Sequence, residues 1–448
     1  MANRIKIKKG LDIPLLGKPE QVYRGHIISE YIKVFPDDFH GVTPKLLVKL
    51  GDSVKAGNAL FHSKNNPEVL FASPVSGEIV EIVRGEKRKI LYVSIKADNE
   101  ISYENFGVKK PSSLSANEVK QSILNAGIWC LIKQRPYDVI ARQEIAPRDI
   151  FVTGFDTAPL APSYDFILKD READLQTGFD ALAKLTDGSV YLSISSNTQN
   201  PGLRDAKNVV ITEFEGPHPA GNVGVQINNI QPVNKGEIVW TLNALDVAII
   251  GKLFNEGLVD LTRTVALTGS EVKQTGYYKM LVGTELSPIF QDNVTEGINL
   301  RYISGNPLTG YLTSESGSLR AYNSQVTVIP EGDEVNEAFG WASLSPKRYS
   351  AGCTYLHRKK NYRLDARILG GPRTIVVSNE YDKVFPLDIF PEQLIKATLK
   401  FNIEKMEKLG IYEVSPEDFA LCEFVDTSKL ELQKIIRAGL DMLRKEME

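Results

Sequence analysis

The sequence predicts a multidomain α/β protein with a β-rich N-terminal domain, an α/β layer, a small second β module and a helical C-terminal part. Three observations carry this. Residues 1 to about 105 are dense in short β-like runs and tight turns; strands and helices alternate from about 115; the last ~60 residues repeat apolar side chains at helical spacing. A chain of 448 residues can hold about three domains of roughly 150 residues each. The two β-rich pieces flanking the α/β layer raise the expectation to four units, at 1–110, 111–260, 261–335 and 336–448.

In the first unit, Leu46–Leu50 runs into the turn Gly51-Asp52, and Ala72–Gly77 runs into Glu78–Val83. Gly and Asp supply the turn conformation and a side-chain acceptor. Such units recur in the flattened barrel-sandwich of biotinyl and lipoyl domains, to which this segment is similar. The stretch His62–Asn66 lacks the Met-Lys-Met pattern of a carrier hairpin, so a structural barrel without a lysine-attached cofactor is expected. Residues 111–260 read as a Rossmann-like α/β layer. Ala116–Gly127 is a short helix with Val119, Ile123 and Ala126 on one face and Gly127 as its stop. The strands Ile150–Gly154, Val190–Ile194 and Val209–Thr212 alternate with a polar helix over Arg171–Leu185. Ile238–Phe254 reads as one amphipathic core helix, because Asn243, Asp246 and Lys252 interrupt it too often for a membrane span.

From 261 to 335 the pattern returns to β, with runs at Arg263–Gly269, Gly276–Met280, Gly283–Leu286 and Gln325–Pro330. This resembles the β-grasp module called SLBB. In the C-terminal unit, Pro391 is placed to start a helix and Gly410 to end one, and Ser415-Pro416-Glu417-Asp418 is a second helix start. Leu432, Ile435, Ile436, Gly439, Leu440 and Leu443 form one apolar stripe.

Composition excludes several classes. Lys+Arg at 53 against Asp+Glu at 56 leaves a net charge of -3, without the basic footprint of a nucleic-acid binder. Cys130, Cys353 and Cys422 stand far apart with no CxxC, too few for an all-cysteine metal or iron–sulfur site. That usage also suits a reducing compartment. The N-terminus lacks the apolar core of a secretory signal. No GxxxxGK[ST], HExxH or GxSxG motif is present.

Three stretches are left as candidates for binding. Glu213–Gly224 follows a strand of the α/β layer, where ligand loops lie; His218 between two prolines is a proton donor or quinone-oxygen partner, or part of a rigid turn at a domain junction. Ile128–Tyr137 puts Trp129 and Tyr137 near Lys133 and Arg135, a mixture suited to a flat apolar ring with polar oxygens such as a quinone, or to a partner protein. Phe35–Gly41 holds His40 after two carboxylates, as a site residue or a structural histidine.

Ile5–Pro14, Ala72–Gly77, Gly216–Gly221, Thr268-Gly269, Tyr381–Ile389 and Leu421–Val425 together closely resemble the NqrA family of the sodium-translocating NADH:quinone reductases, over essentially the whole chain. The resemblance implies a peripheral subunit on the cytoplasmic side of the bacterial inner membrane, in a complex with five other subunits (B to F). That complex passes electrons from NADH to a quinone and drives sodium outward. The chain is then expected to bind no flavin, iron–sulfur cluster or metal and to hold no catalytic residue, the redox groups residing on partner subunits. It contributes by quinone binding and assembly; the alternative is a docking subunit with no quinone site. The family also resembles the Rnf complex C subunit and the complex I NADH-binding subunit. Where the latter has a flavin loop of the GRGGAGFP type, this chain reads Ala126-Gly127-Ile128-Trp129-Cys130. Near the C-terminus, where cluster-bearing relatives have several cysteines, only Cys422 is present.

Overall fold

The computed structural model describes residues 3–333, 349–351 and 360–447. Cys353 and part of 336–379 lie outside the described residues. The protein is multidomain α/β, built on a seven-stranded sheet in the order Asn3–Lys6, Val210–Glu215, Val190–Ser195, Ile150–Thr153, Val239–Asn243, Lys133–Arg135, Val139–Ile140. The first five strands are parallel and the last two antiparallel.

The helix Ala116–Asn125 starts at a reciprocal capping box between Ser115 and Glu118, and Gly127 stops it at φ 68°. Its apolar face of Val119, Ile123 and Ala126 is buried. Glu172–Leu182 and Ala244–Glu256 pack closely on one another, because a Cβ at Gly178 or Gly251 would run into the facing backbone. The single amphipathic helix expected over Ile238–Phe254 is not formed. The segment is the strand Val239–Asn243 followed by the helix Ala244–Glu256, and ten of that helix's 13 residues are buried. Asn243, which looked like an interruption, is the N-cap: its side chain accepts from the Asp246 N–H at 2.9 Å. With a sheet on one side and a helix on the other, that helix has little polar face to show.

The N-terminal barrel-sandwich pairs a four-stranded sheet (Tyr31–Val34, Ile90–Ala97, Gly77–Arg84, Ser53–Val54) with a three-stranded one (Pro44–Leu46, Ala59–Ser63, Leu70–Ala72). Phe61 and Phe71 stack at 4.6 Å in its interior, and their apolar core continues without a break into that of the α/β layer. Two early strands leave the barrel. Asn3–Lys6 extends the large sheet, and Tyr23–His26 extends the β-grasp sheet.

That β-grasp sheet runs Tyr311–Thr313, Leu300–Ser304, Gln325–Pro330, Thr262–Thr268, Gly276–Leu281, Tyr23–His26. The β-like run expected at Gly283–Leu286 makes only isolated antiparallel bridges, Thr284 to Ile32 and Glu285 to Ser318, before the short helix Ser287–Phe290. Helices Pro391–Leu399, Ile403–Lys408, Ala420–Val425 and Leu432–Met447 form the C-terminal domain, with the predicted stripe buried except for half-buried Ile435. Among the described residues, no helix is long and apolar enough to cross a membrane.

Candidate functional site: a cleft and a slot sharing Tyr322

Chain order and spatial order part company at one place in the large sheet. From Ile150–Thr153 the chain steps outward through Val190–Ser195 to Val210–Glu215, then returns to set Val239–Asn243 on the other flank of Ile150–Thr153. Open α/β sheets have their crevice at the carboxyl ends of such a pair. Here it is a cleft of about 260 Å³, lined by Thr153 and Asn243 of the sheet and by Asn306 and Asn323 of the β-grasp module.

Lys133 and His218 both line this cleft. The Lys133 ammonium lies 4.6 Å over the Tyr322 ring and 3.9 Å from Asp138. His218 is buried, with Nδ1 3.1 Å from Thr157 Oγ1, and its backbone N–H donates to the Asp12 carboxylate at 2.9 Å. Gly10 runs so close alongside that any Cβ there would collide with the His218 carbonyl. Burial lowers the His218 pKa to about 4, so its ring is neutral at pH 7. Glu417 lines the cleft too and accepts from Arg135 Nη2 at 3.1 Å. Burial, then the adjacent Asp418 carboxylate, push its pKa up to about 7.

A second cavity, a slot of about 40 Å³, shares Leu131 and Tyr322 with the cleft. It opens where three modules meet. Phe35, Phe39 and Phe71 come from the barrel, Ile128 and Leu131 from the α/β layer, and Arg263 from the β-grasp sheet. Phe39 packs 4.5 Å from Phe71 and edge-on to Tyr322 at 5.8 Å, while the Tyr322 hydroxyl donates to the Cys130 carbonyl at 2.7 Å. Arg263 is only 4% exposed; its Nη2 donates to Asp246 at 2.7 Å, but its Nε and Nη1 have no partner among the described residues. A buried guanidinium with two unpartnered nitrogens beside aromatic walls is costly unless an acceptor oxygen meets them.

The cleft brings together two of the stretches singled out from sequence through the named residues Lys133 and His218, whereas the slot joins Phe35–Gly41 to Ile128–Tyr137 only through neighbours of the named residues. Trp129 is wholly buried, donating to Ala141 at 2.7 Å and packed edge-on against Trp240 at 5.2 Å. Arg135, also wholly buried, bonds Asp418 and Glu417 at 3.1 Å each and so ties the sheet to the C-terminal helices. Tyr137 is buried at φ 80°, its carbonyl accepting from Arg437 at 2.5 Å. His40 pairs with Asp441 at 2.7 Å, where the barrel meets the last helix, and lines neither cavity. Arg263, Tyr322 and Glu417 went unnoticed as site residues. Arg263 did carry a signal, as the one charged residue in the strand Thr262–Thr268; Tyr322 carried none. Cys130 and Cys422 are buried free thiols, and burial raises the first to about 12. Among the described residues, no group of three or more His, Cys, Asp or Glu is placed to hold a metal ion.

Three family descriptions match in order: "NqrA N-terminal barrel-sandwich hybrid domain" over residues 5–98, "NqrA second alpha/beta domain" over 114–259 and "NQRA C-terminal domain" over 264–315. A protein of Neisseria meningitidis serogroup A is 36% identical over 449 residues, covering 99% of this chain and all of that one. One from Haemophilus influenzae strain PittGG is 35% identical over 447 residues with the same coverage. Both are named as the A subunit of a Na(+)-translocating NADH-quinone reductase. A chain of an NAD+-reducing [NiFe]-hydrogenase superposes at a TM-score of 0.35 with 12% identity, over 77% of this chain and 72% of that one, too loosely to support any conclusion. Near-complete coverage at that identity, with three domain matches in the chain's own order, makes this chain a member of the NqrA family of Na(+)-translocating NADH-quinone reductase subunits.

Proposed function

We propose that this chain serves quinone reduction by holding the quinone ring in the slot between barrel, α/β layer and β-grasp module. The observation that carries this is Arg263, whose Nε and Nη1 have no partner among the described residues and which lines an apolar slot with Phe39, Phe71 and Tyr322. A quinone offers what such a slot lacks: a flat apolar ring for the aromatic walls and a carbonyl oxygen for the guanidinium. At about 40 Å³ the slot has room for a few waters, so the ring enters as the Phe35–Phe39 loop separates from Ile128–Leu131. That seam lies between modules, and opening it breaks no sheet. Electrons reach the ring from flavins and an iron–sulfur cluster on the partner subunits (B to F), with this chain binding none of them and lying at the cytoplasmic face of the membrane.

The test is a photoreactive short-chain quinone on the purified full chain. It should label peptides spanning Phe35–Gly41 and Ile128–Tyr137, free quinone should compete, and Arg263→Gln should cut the labelling at least tenfold. Uniform labelling without competition, or full labelling of a folded Arg263→Gln protein, sinks the reading. Phe39→Ala, which keeps the Arg263–Asp246 pair, serves if Arg263→Gln unfolds. A second reading, docking without a quinone site, draws on exposed Val22, Tyr23 and Ile28 beside the free edge of the β-grasp sheet. Under it no quinone binds, yet deleting the chain disassembles the complex.

A further inference from the structure

We infer that the cleft at the carboxyl ends of Ile150–Thr153 and Val239–Asn243 is a separate binding site for an uncharged ring carrying adjacent hydroxyls, as in a free pentose or a nucleoside, and that it rejects the phosphorylated form. The place follows from topology, since the cleft sits where the strand order reverses and where α/β sheets take their ligands.

The charge follows from what already occupies the helix ends. Phosphates at such crevices sit on the positive N-termini of helices. Here the Asp418 carboxylate lies against Gly224, in the first turn of Val223–Ile230, close enough that any Cβ there would strike it. Asp246 occupies the first turn of Ala244–Glu256, whose N-cap is Asn243. Protein carboxylates thus fill both phosphate positions. Of the other ionisable side chains in the cleft, Lys133 faces Asp138, His218 is neutral, and Asp156 and Glu417 are acids. Burial raises both of those acids, Glu417 to about 7, so an anion is disfavoured by the occupied helix ends and by the pairing of the cleft's lysine, Lys133, with Asp138.

The same groups favour hydroxyls. Asp156 accepts from the Ala158 N–H at 2.7 Å and pairs with no cation among the described residues; Glu417 bonds Arg135 through Oε1 alone. A carboxylate is the acceptor that sheets of this kind present to a ring hydroxyl. At the rim, the Asn222 side chain makes no capping bond to its own helix and is available to the ring. The volume of about 260 Å³ lies below the roughly 300–1,000 Å³ of drug-sized pockets, which limits the ligand to a small ring.

The test uses the full chain with ribose, adenosine and AMP in calorimetric titrations at neutral pH. Saturable adenosine binding is expected, with AMP at least tenfold weaker. Ribose binding as well would assign recognition to the pentose alone, whereas its absence would assign it to the whole nucleoside. Asp156→Asn should weaken adenosine at least tenfold with the thermal midpoint retained, and Glu417→Gln gives the same reading should Asp156→Asn fail to fold. Saturation by neither ribose nor adenosine, AMP as tight as adenosine, or unchanged binding in a folded Asp156→Asn protein overturns the inference. Quinone photolabelling of the Phe35–Gly41 peptide, which lines only the slot, should persist in saturating adenosine, so the two sites succeed or fail separately.

Discussion

His218 and Glu417 face one cleft but respond to pH in opposite directions. Burial depresses the His218 pKa from 6.5 to about 4. The unfolded chain then binds the proton more readily, so the stability held above pH 6.5 is lost as pH falls toward 4, by roughly 3 kcal/mol for this group. Urea unfolding at pH 7 and pH 4.5 should show a smaller drop for His218→Gln than for the wild type; equal drops would contradict the assignment. Glu417, facing Asp418, Asp138, Arg135 and Lys133, has a raised pKa of about 7. Its contribution is therefore present at low pH and fades as pH rises from about 4.5 through 7, and Glu417→Gln should remove that loss. Arg135 is the keystone of this group. Arg135→Met would leave the buried Asp418 carboxylate without its cation and should cost roughly 3–5 kcal/mol in a denaturant titration. The sequence marked Arg135 as a cation near aromatics. It could not show that two carboxylates some 280 residues onward would claim it.

At the scale of elements, the helical stripe, the capping box at Ser115 and the stop at Gly127 were all legible, because each depends on residues within a few positions of one another. Ile238–Phe254 was not. Periodicity alone cannot separate a buried strand running into a buried helix from one continuous helix, and Asn243 has the same composition as a cap or as a flaw. Gly439 shows how a local reading gains meaning from packing. It sits in the apolar stripe of Leu432–Met447, and a Cβ there would strike Thr398 of the helix Pro391–Leu399. Gly439→Ala therefore improves helix propensity but should lower stability by about 1–3 kcal/mol through overpacking, read from the shift in Tm. A stabilised variant would mean the two helices part more easily than their contact suggests.

At the scale of the whole molecule, the first 28 residues stitch the modules together. Asn3–Lys6 closes an edge of the large sheet, pairing Ile5 with Phe214, and Tyr23–His26 does the same for the β-grasp sheet. A chain lacking residues 1–9 should keep the barrel's hydrogen-exchange protection while amides in Val210–Glu215 exchange at least tenfold faster; loss of protection confined to the barrel would refute this. By itself the sequence determined the class of fold, the order of its modules, the scarcity of thiols and the family, since these rest on local periodicity, composition and motifs read along the chain. Only the tertiary structure decided which side chains share a cavity. Arg263 and Tyr322 of the β-grasp module meet Phe39 of the barrel and Leu131 of the α/β layer, some of them more than 200 positions apart, with no local pattern to announce it. Trp129, conspicuous in the sequence, lies in the core, its indole N–H satisfied by the Ala141 carbonyl and its ring edge-on to Trp240, because contacts from distant positions enclose it.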